Sequence, residues 1–239
     1  MTELLYQTDS YLQSFEAKGV ALDEEGRGIG LDRSAFYPGG GGQPADSGTL
    51  TADGVTYIVK RAKKAGDQVF HFVEGDNALP TLGAVVHAQI DWERRYKLMR
   101  THTALHVLCG VVFRDYGASV TGGDMEPLDG RMDFEFERMQ HELVDQIQQA
   151  VNREVAARRE VRVAILPRQE AFAIPDLIRT KINLLPEGIE QVRVVEIVGL
   201  DLQADGGTHV HNTAEVGSIR VVDYKSKGKI NKRIYIAVE

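Results

Sequence analysis

The chain has 239 residues, a formal net charge of -7, 43% hydrophobic and 26% charged residues, the balance of an ordinary folded protein able to bury one large core or two modest ones without cross-links. That composition excludes a disordered or fibrous chain, the single cysteine excludes an intrachain disulfide, and the excess of acid over base argues against indiscriminate binding of nucleic acid, which rewards cations presented to phosphate. The opening MTELLYQTDSYLQSFEAKG lacks the basic and apolar regions of a secretory signal, and the longest apolar run, Ala104 to Phe113, is far too short to span a bilayer, so a cytoplasmic protein without a membrane role is expected.

In chain order, the first ninety or so residues carry turn signals and short alternating runs, GIGLDRSAFYP, GVTYIVKRA, QVFHFVEG and AVVHAQIDW, which predict a β-rich, barrel-like domain over residues 1–91. Its unusual piece is YPGGGGQPADSGTL, Tyr37 to Leu50, where four successive glycines accept positive φ or let another group come close, and Gln43 and Asp46 follow. The character then changes. WERRYKLMRTHTALHVLCGVVFRDY, Trp92 to Tyr116, contains no proline and reads as a helix with Leu98, Thr101, Leu105, Leu108 and Val112 on one face. A second helix is expected from about Met139 to Arg159, with Leu143, Ile147, Ala150, Val151 and Val155 as its apolar stripe. Strand candidates GRMDFEFE, VRVAILP, QVRVVEIV, EVGSIRVVDYK and KRIYIAVE complete an α+β domain over residues 92–239.

Chemistry enters with RTHTALHVL, Arg100 to Leu108. His102 and His106 stand at i and i+4, so on a helix both project from one face about 6 Å apart and can aim at one ion. By itself that pair is weak evidence. A hundred residues later, QADGGTHVHNTAEVG offers Asp205 and His209 around Gly206 and Gly207, which let the backbone turn so that the two side chains converge. Two histidines from a helix and one or two ligands from a loop make a usual zinc shell. Cys109 lies seven residues after His102, about 10.5 Å along a helix and too far to share the ion, so it reads as a small buried residue. His211 alternates with His209 and points away, and His71, His87 and His141 default to structural or surface roles. Two basic clusters flank the candidate site in sequence: Arg94, Arg95, Lys97 and Arg100, and Lys225, Lys227, Lys229, Lys232 and Arg233.

RTHTALHVL and DGGTHVHNTAEVG, with FYPGGGGQPADSG upstream and KSKGKINKR at the close, resemble in the same order the alanyl-tRNA editing proteins, freestanding relatives of the editing domain of alanyl-tRNA synthetase. A glycine-rich domain before the metal-binding one, with no long C-terminal extension, resembles their medium-length, AlaX-like class. The resemblance implies a second domain like the second additional domain of threonyl- and alanyl-tRNA synthetases, and a trans-acting hydrolase that removes serine, and in some members glycine, from alanine tRNA. It carries the family's helix pair onto His102 and His106 and its Cys-x-x-x-His motif onto Asp205 and His209, so the cysteine is an aspartate here. Asp205 then either ligates zinc as a carboxylate, or stands back and leaves three histidines and an open position, or admits another divalent ion. Thr121, in SVTGGD, matches a position where family members contact the misattached amino acid, and Gln43 is the candidate contact from the glycine-rich loop.

The resemblance implies metal-assisted hydrolysis of an aminoacyl ester; the absence of a G-x-S-x-G elbow or an activated cysteine argues against covalent catalysis, and that of an HExxH pair against a peptidase. Binding of tRNA is expected to rest on Arg100, Lys225, Lys227 and Lys229, and no obligate protein partner is expected. Two alternatives stay open: a tRNA-binding module with a structural metal and lost activity, and a metal-dependent hydrolase of a small ester.

Overall fold

The structure is a computed structural model and describes residues 1–136, 140–180, 185 and 188–239. The fold is mixed α+β, and the chain divides into two compact units, Met1–Tyr96 and Lys97–Glu239. The division falls one helical turn later than the change in sequence character, because Arg95 and Tyr96 make their side-chain contacts with the first unit.

The first unit runs β1 (Glu3–Leu4), β2 (Ser14–Asp23), β3 (Gly28–Leu31), β4 (Arg33–Ser34), β5 (Gly48–Ala52), β6 (Val55–Ala65), β7 (Gln68–Val73) and β8 (Val85–Ile90). Six of these close a barrel in the order β2-β3-β7-β6-β5-β8, and β1 pairs with β4 in parallel. Alternation does the work: every second residue of β7 and β8 is buried, which directs Val69, Val73, Val86 and Ile90 into a core shared with Ile29, Leu31, Phe36, Leu50 and Val59. Beside the barrel, Gly39, Gly40, Gly41 and Gly42 all have positive φ, and Gly40 and Gln43 exchange backbone hydrogen bonds. That loop is closed by Asp46, whose carboxylate accepts the Tyr37 N–H at 2.6 Å and the guanidinium of Arg95.

The second unit holds most of α1 (Trp92–Tyr116), then β9 (Val120–Glu126), β10 (Asp129–Glu135), α2 (His141–Ala156), β11 (Val161–Pro167), α3 (Arg168–Ala173), β12 (Gln191–Ile197), β13 (Asp201–Ala204), β14 (Ile219–Ser226) and β15 (Asn231–Val238). The strands form an antiparallel four-stranded sheet, β14-β15-β10-β9, and a three-stranded one, β11-β12-β13. Helix α1 begins where Asp91 Oδ1 accepts the Arg94 N–H and stops at Gly117, whose φ is +65°. Every residue from Thr101 to Val112 is buried, as expected of a helix packed on several sides. Gly130 of β10 lets Leu105 and Thr101 lie directly on the sheet, since a Cβ there would stand 3.2–3.3 Å from both. Helix α2 is tied to β14 by Asn152, which bonds both the N–H and the C=O of Ile219, and it ends before Arg158 at φ +54°. Its buried stripe includes Val144, with Leu143 only half-buried. The expected helix start at Met139 and the end of the GRMDFEFE strand at Glu137 lie outside the described residues. No helix among the described residues is long and apolar enough to cross a membrane.

Candidate metal centre

His102 and His106 face the same way from consecutive turns of α1, with ring centroids 5.1 Å apart. His209 completes the group from the loop after β13, its ring 4.2 Å from that of His102 and 4.7 Å from that of His106. Asp205 joins them, with Oδ2 3.0 Å from His209 Nε2 and Oδ1 3.5 Å from His102 Nε2. One ligand atom from each of the four lies within 4.8 Å of the others, and the whole group sits inside the second unit. A tetrahedral ion with bonds of about 2.0–2.2 Å places its ligands about 3.3–3.6 Å apart; the 3.5 Å from Asp205 Oδ1 to His102 Nε2 falls in that range, while the 3.0 Å from Oδ2 to His209 Nε2 is that of a hydrogen bond.

The convergence of Asp205 and His209 has a different cause from the one expected. Neither Gly206 nor Gly207 takes a positive φ. Instead Asp205 Oδ2 accepts the Gly207 N–H at 2.7 Å, so the aspartate makes its own turn. The Arg193 Nη1 donates to the Asp205 carbonyl at 2.9 Å and stands 3.7 Å from its carboxylate.

The outward nitrogens of His106 and His209 are held as well. His106 Nδ1 lies 3.1 Å from Asp201 Oδ2, which leaves Nε2 for the cluster, and His209 Nδ1 lies 3.2 Å from Thr103 Oγ1. Burial pushes His209 down to about 4 and His102 well below the usual imidazole range, against the pull of Asp205 in both cases. His106 is raised, because the hydrogen bond and charge of Asp201 outweigh its burial. Burial works against the charge of Asp205 too, but the facing imidazoles His102 and His209 keep it well below the usual carboxylate range. The neutral imidazoles of His102 and His209 beside an ionised Asp205 are donors of the kind a divalent cation requires, and a cation would displace the proton that Asp201 favours on His106. The residues therefore fit a divalent metal ion.

The other residues singled out in the sequence are distributed as follows. Cys109 is buried, takes a 3.3 Å contact from Gln203 Nε2 and is pushed up by burial, consistent with an inert thiol. His211 is exposed, His71 is buried between Ser34 and the Ile29 carbonyl, and His87 and His141 pair with surface carboxylates. Thr121 is exposed on β9 and donates to Asn231 Oδ1 at 3.0 Å. Gln43 is buried in the first unit. Arg95 is fully buried, donating to Asp46 and to the carbonyls of Ser10 and Ala35, so it is closed to phosphate. Arg100 donates to the carbonyls of Val216 and Glu239. Lys232 folds back onto the carbonyls of Gly228 and Lys229, and Arg233 pairs with Asp133, whereas Lys225, Lys227 and Lys229 are exposed around the β14–β15 hairpin.

Two family models match: class II (A) tRNA synthetases over residues 7–94, and the threonyl and alanyl tRNA synthetase second additional domain over residues 192–235. The alanyl-tRNA editing protein AlaX-M of Saccharolobus solfataricus is 37% identical, covering 100% of both chains. The chain belongs to the AlaX-M alanyl-tRNA editing protein family. The AlaX-M of Methanosarcina mazei is 38% identical over 100% of this chain and 97% of its own. The alanine–tRNA ligase of Ignicoccus hospitalis is 36% identical over 92% of this chain, which corresponds to 24% of the ligase.

Sequence reasoning missed the residues behind the candidate ligands: Asp201, Gln203, Thr103 and Arg193. A signal for two of them was there. Asp201, Gln203 and Asp205 alternate, so an extended segment places all three on one side. Thr103 follows His102 directly and carried no periodic signal.

Proposed function

We propose that this chain is a trans-acting hydrolase that uses a zinc ion to deacylate alanine tRNA wrongly charged with serine or glycine. The observation that carries the reading is the convergence of His102, His106, Asp205 and His209 in a chain that belongs to the AlaX-M family. Zinc, held by these four residues, would supply a Lewis acid for the ester chemistry. The chain supplies the rest. Asp201 and Thr103 orient the rings of His106 and His209, and the Gly207 N–H fixes the Asp205 carboxylate. In the reaction water adds to the aminoacyl carbonyl, the bond to the ribose oxygen breaks, and that oxygen takes the proton, giving free tRNA and amino acid.

Discrimination is assigned to Thr121. Its hydroxyl hydrogen is given to Asn231, so the oxygen is left to accept a bond from the substrate serine, which alanine cannot make. Phosphate contacts are assigned to Lys225, Lys227 and Lys229, which are exposed, with Arg100 adding charge from α1. The reaction would take place in the cytoplasm.

The test is to incubate metal-analysed protein with alanine tRNA charged with serine, glycine or alanine, and with a minimal seryl ester, and to follow ester loss. Loss of serine with retention of alanine is the expected result, and the Thr121 contact makes no distinction between glycine and alanine. Binding of tRNA without hydrolysis would replace this reading by that of a module with a structural metal. Equally fast turnover of the minimal ester would replace it by that of a small-ester hydrolase.

A further inference from the structure

We propose that Asp201 is a positioning residue of the metal centre, its carboxylate held by Gln203 and Arg179 so that the His106 ring keeps Nε2 turned toward the other ligands. This rests on the reading that the four-residue cluster holds a divalent ion. The Asp201 side chain is completely buried, and a carboxylate taken out of water is costly unless its oxygens are used. Here they are used in a particular way. Oδ2 meets His106 Nδ1 at 3.1 Å and accepts from Gln203 Nε2 at 2.6 Å, while Oδ1 faces Arg179 Nε at 3.4 Å.

The holders are themselves held. The Arg179 guanidinium lies over the ring of Phe113, 3.8 Å from its centroid, and Gln203 also reaches Cys109 Sγ. Phe113, Cys109 and His106 all stand on α1, so both partners that fix Asp201 are braced against the helix that carries the ligand. An imidazole has two nitrogens that can present a lone pair, and an acceptor at Nδ1 leaves only Nε2 for a metal. Asp201 is the acceptor.

The test uses zinc and cobalt(II) alone, on the full chain, with affinity measured by competition against a chromophoric chelator and the cobalt site read by its visible absorption. Asp201→Asn keeps the shape but halves the acceptor and removes the charge; it is expected to weaken zinc binding about 10- to 100-fold and to shift the cobalt bands. Gln203→Met, which removes the bonds to Asp201 and Cys109 Sγ but leaves the Asp201 carboxylate in place, is expected to weaken binding less, in the same direction, and serves where the asparagine variant fails to fold. A folded variant with affinity within about twofold of the unaltered protein and an unshifted cobalt spectrum overturns the proposal. Absence of metal binding by the unaltered protein overturns the metal reading itself, and this inference with it.

Discussion

Gly110 of α1 makes room for Asp201: a Cβ built on Gly110 would stand 3.0 Å from Asp201 Cβ and 2.9 Å from the Leu200 side chain. A glycine inside a helix ordinarily costs about 1 kcal/mol relative to alanine. Here it allows the turn before β13 to press against α1 and bring Asp201 to His106. Gly110→Ala is therefore expected to destabilise the chain by about 1–3 kcal/mol despite its better helix propensity, and to weaken zinc binding. Urea unfolding with and without metal checks both; a variant more stable than the parent with unchanged affinity would show that the close approach has no function.

Asp46 and Arg95 form an ion pair whose side chains are 1% and 0% exposed. Removing one partner of such a pair strands the other charge, which typically costs about 3–5 kcal/mol. Asp46→Ala also frees the Tyr37 N–H and opens the glycine-rich loop. The expected outcome is a loss of this size in unfolding free energy, read from a lowered denaturant midpoint, with metal content unchanged because all four candidate ligands lie in the second unit.

His71 gives the barrel a pH dependence. Burial lowers it from 6.5 to about 4, partly offset by its bond to the Ile29 carbonyl. The unfolded chain therefore binds the proton first as pH falls, so stability is full above about 6.5 and declines toward about 4. At pH 5 the loss is about 2 kcal/mol. His71→Gln should be less stable at pH 7 but should lose this slope. Equal slopes between pH 7 and 5 in the two proteins would assign the pH dependence to other groups.

Charge reversal at Lys227 and Lys229 is expected to raise the concentration of charged tRNA needed for half-maximal rate, to flatten the dependence of that concentration on salt, and to leave zinc content intact. Steady-state kinetics across a salt series measure this. Both lysines are exposed, so the fold should not change. Identical salt dependence in variant and parent would move the phosphate contacts elsewhere.

How much of this was legible depended on how local each cause is. The ends of α1 at Trp92 and Tyr116 could be read because the segment lacks proline and its apolar positions recur, and VRVAILP could be read because β-branched and aliphatic residues dominate it around the single charge of Arg162. Strands β2 and β9 could not. SFEAKGVALD mixes charges with its barrel-facing alanines, and VTGGDME owes its extension to pairing with β10, not to its own residues. The candidate ligands His102, His106, Asp205 and His209 stood out by residue type, but Arg95 shows the limit of that approach. In the sequence it is one cation in a basic cluster; only the fold shows it sealed against Asp46.

The central claim is that imidazoles at His102, His106 and His209 share one cation with Asp205. The most direct measurement is the number of divalent metal ions per chain after exhaustive dialysis, in the unaltered protein and in a variant with all three histidines replaced by alanine. The account expects one zinc ion per chain in the first and none in the second, with both proteins folded. Equal metal content in the two, or none in the unaltered protein, would contradict it.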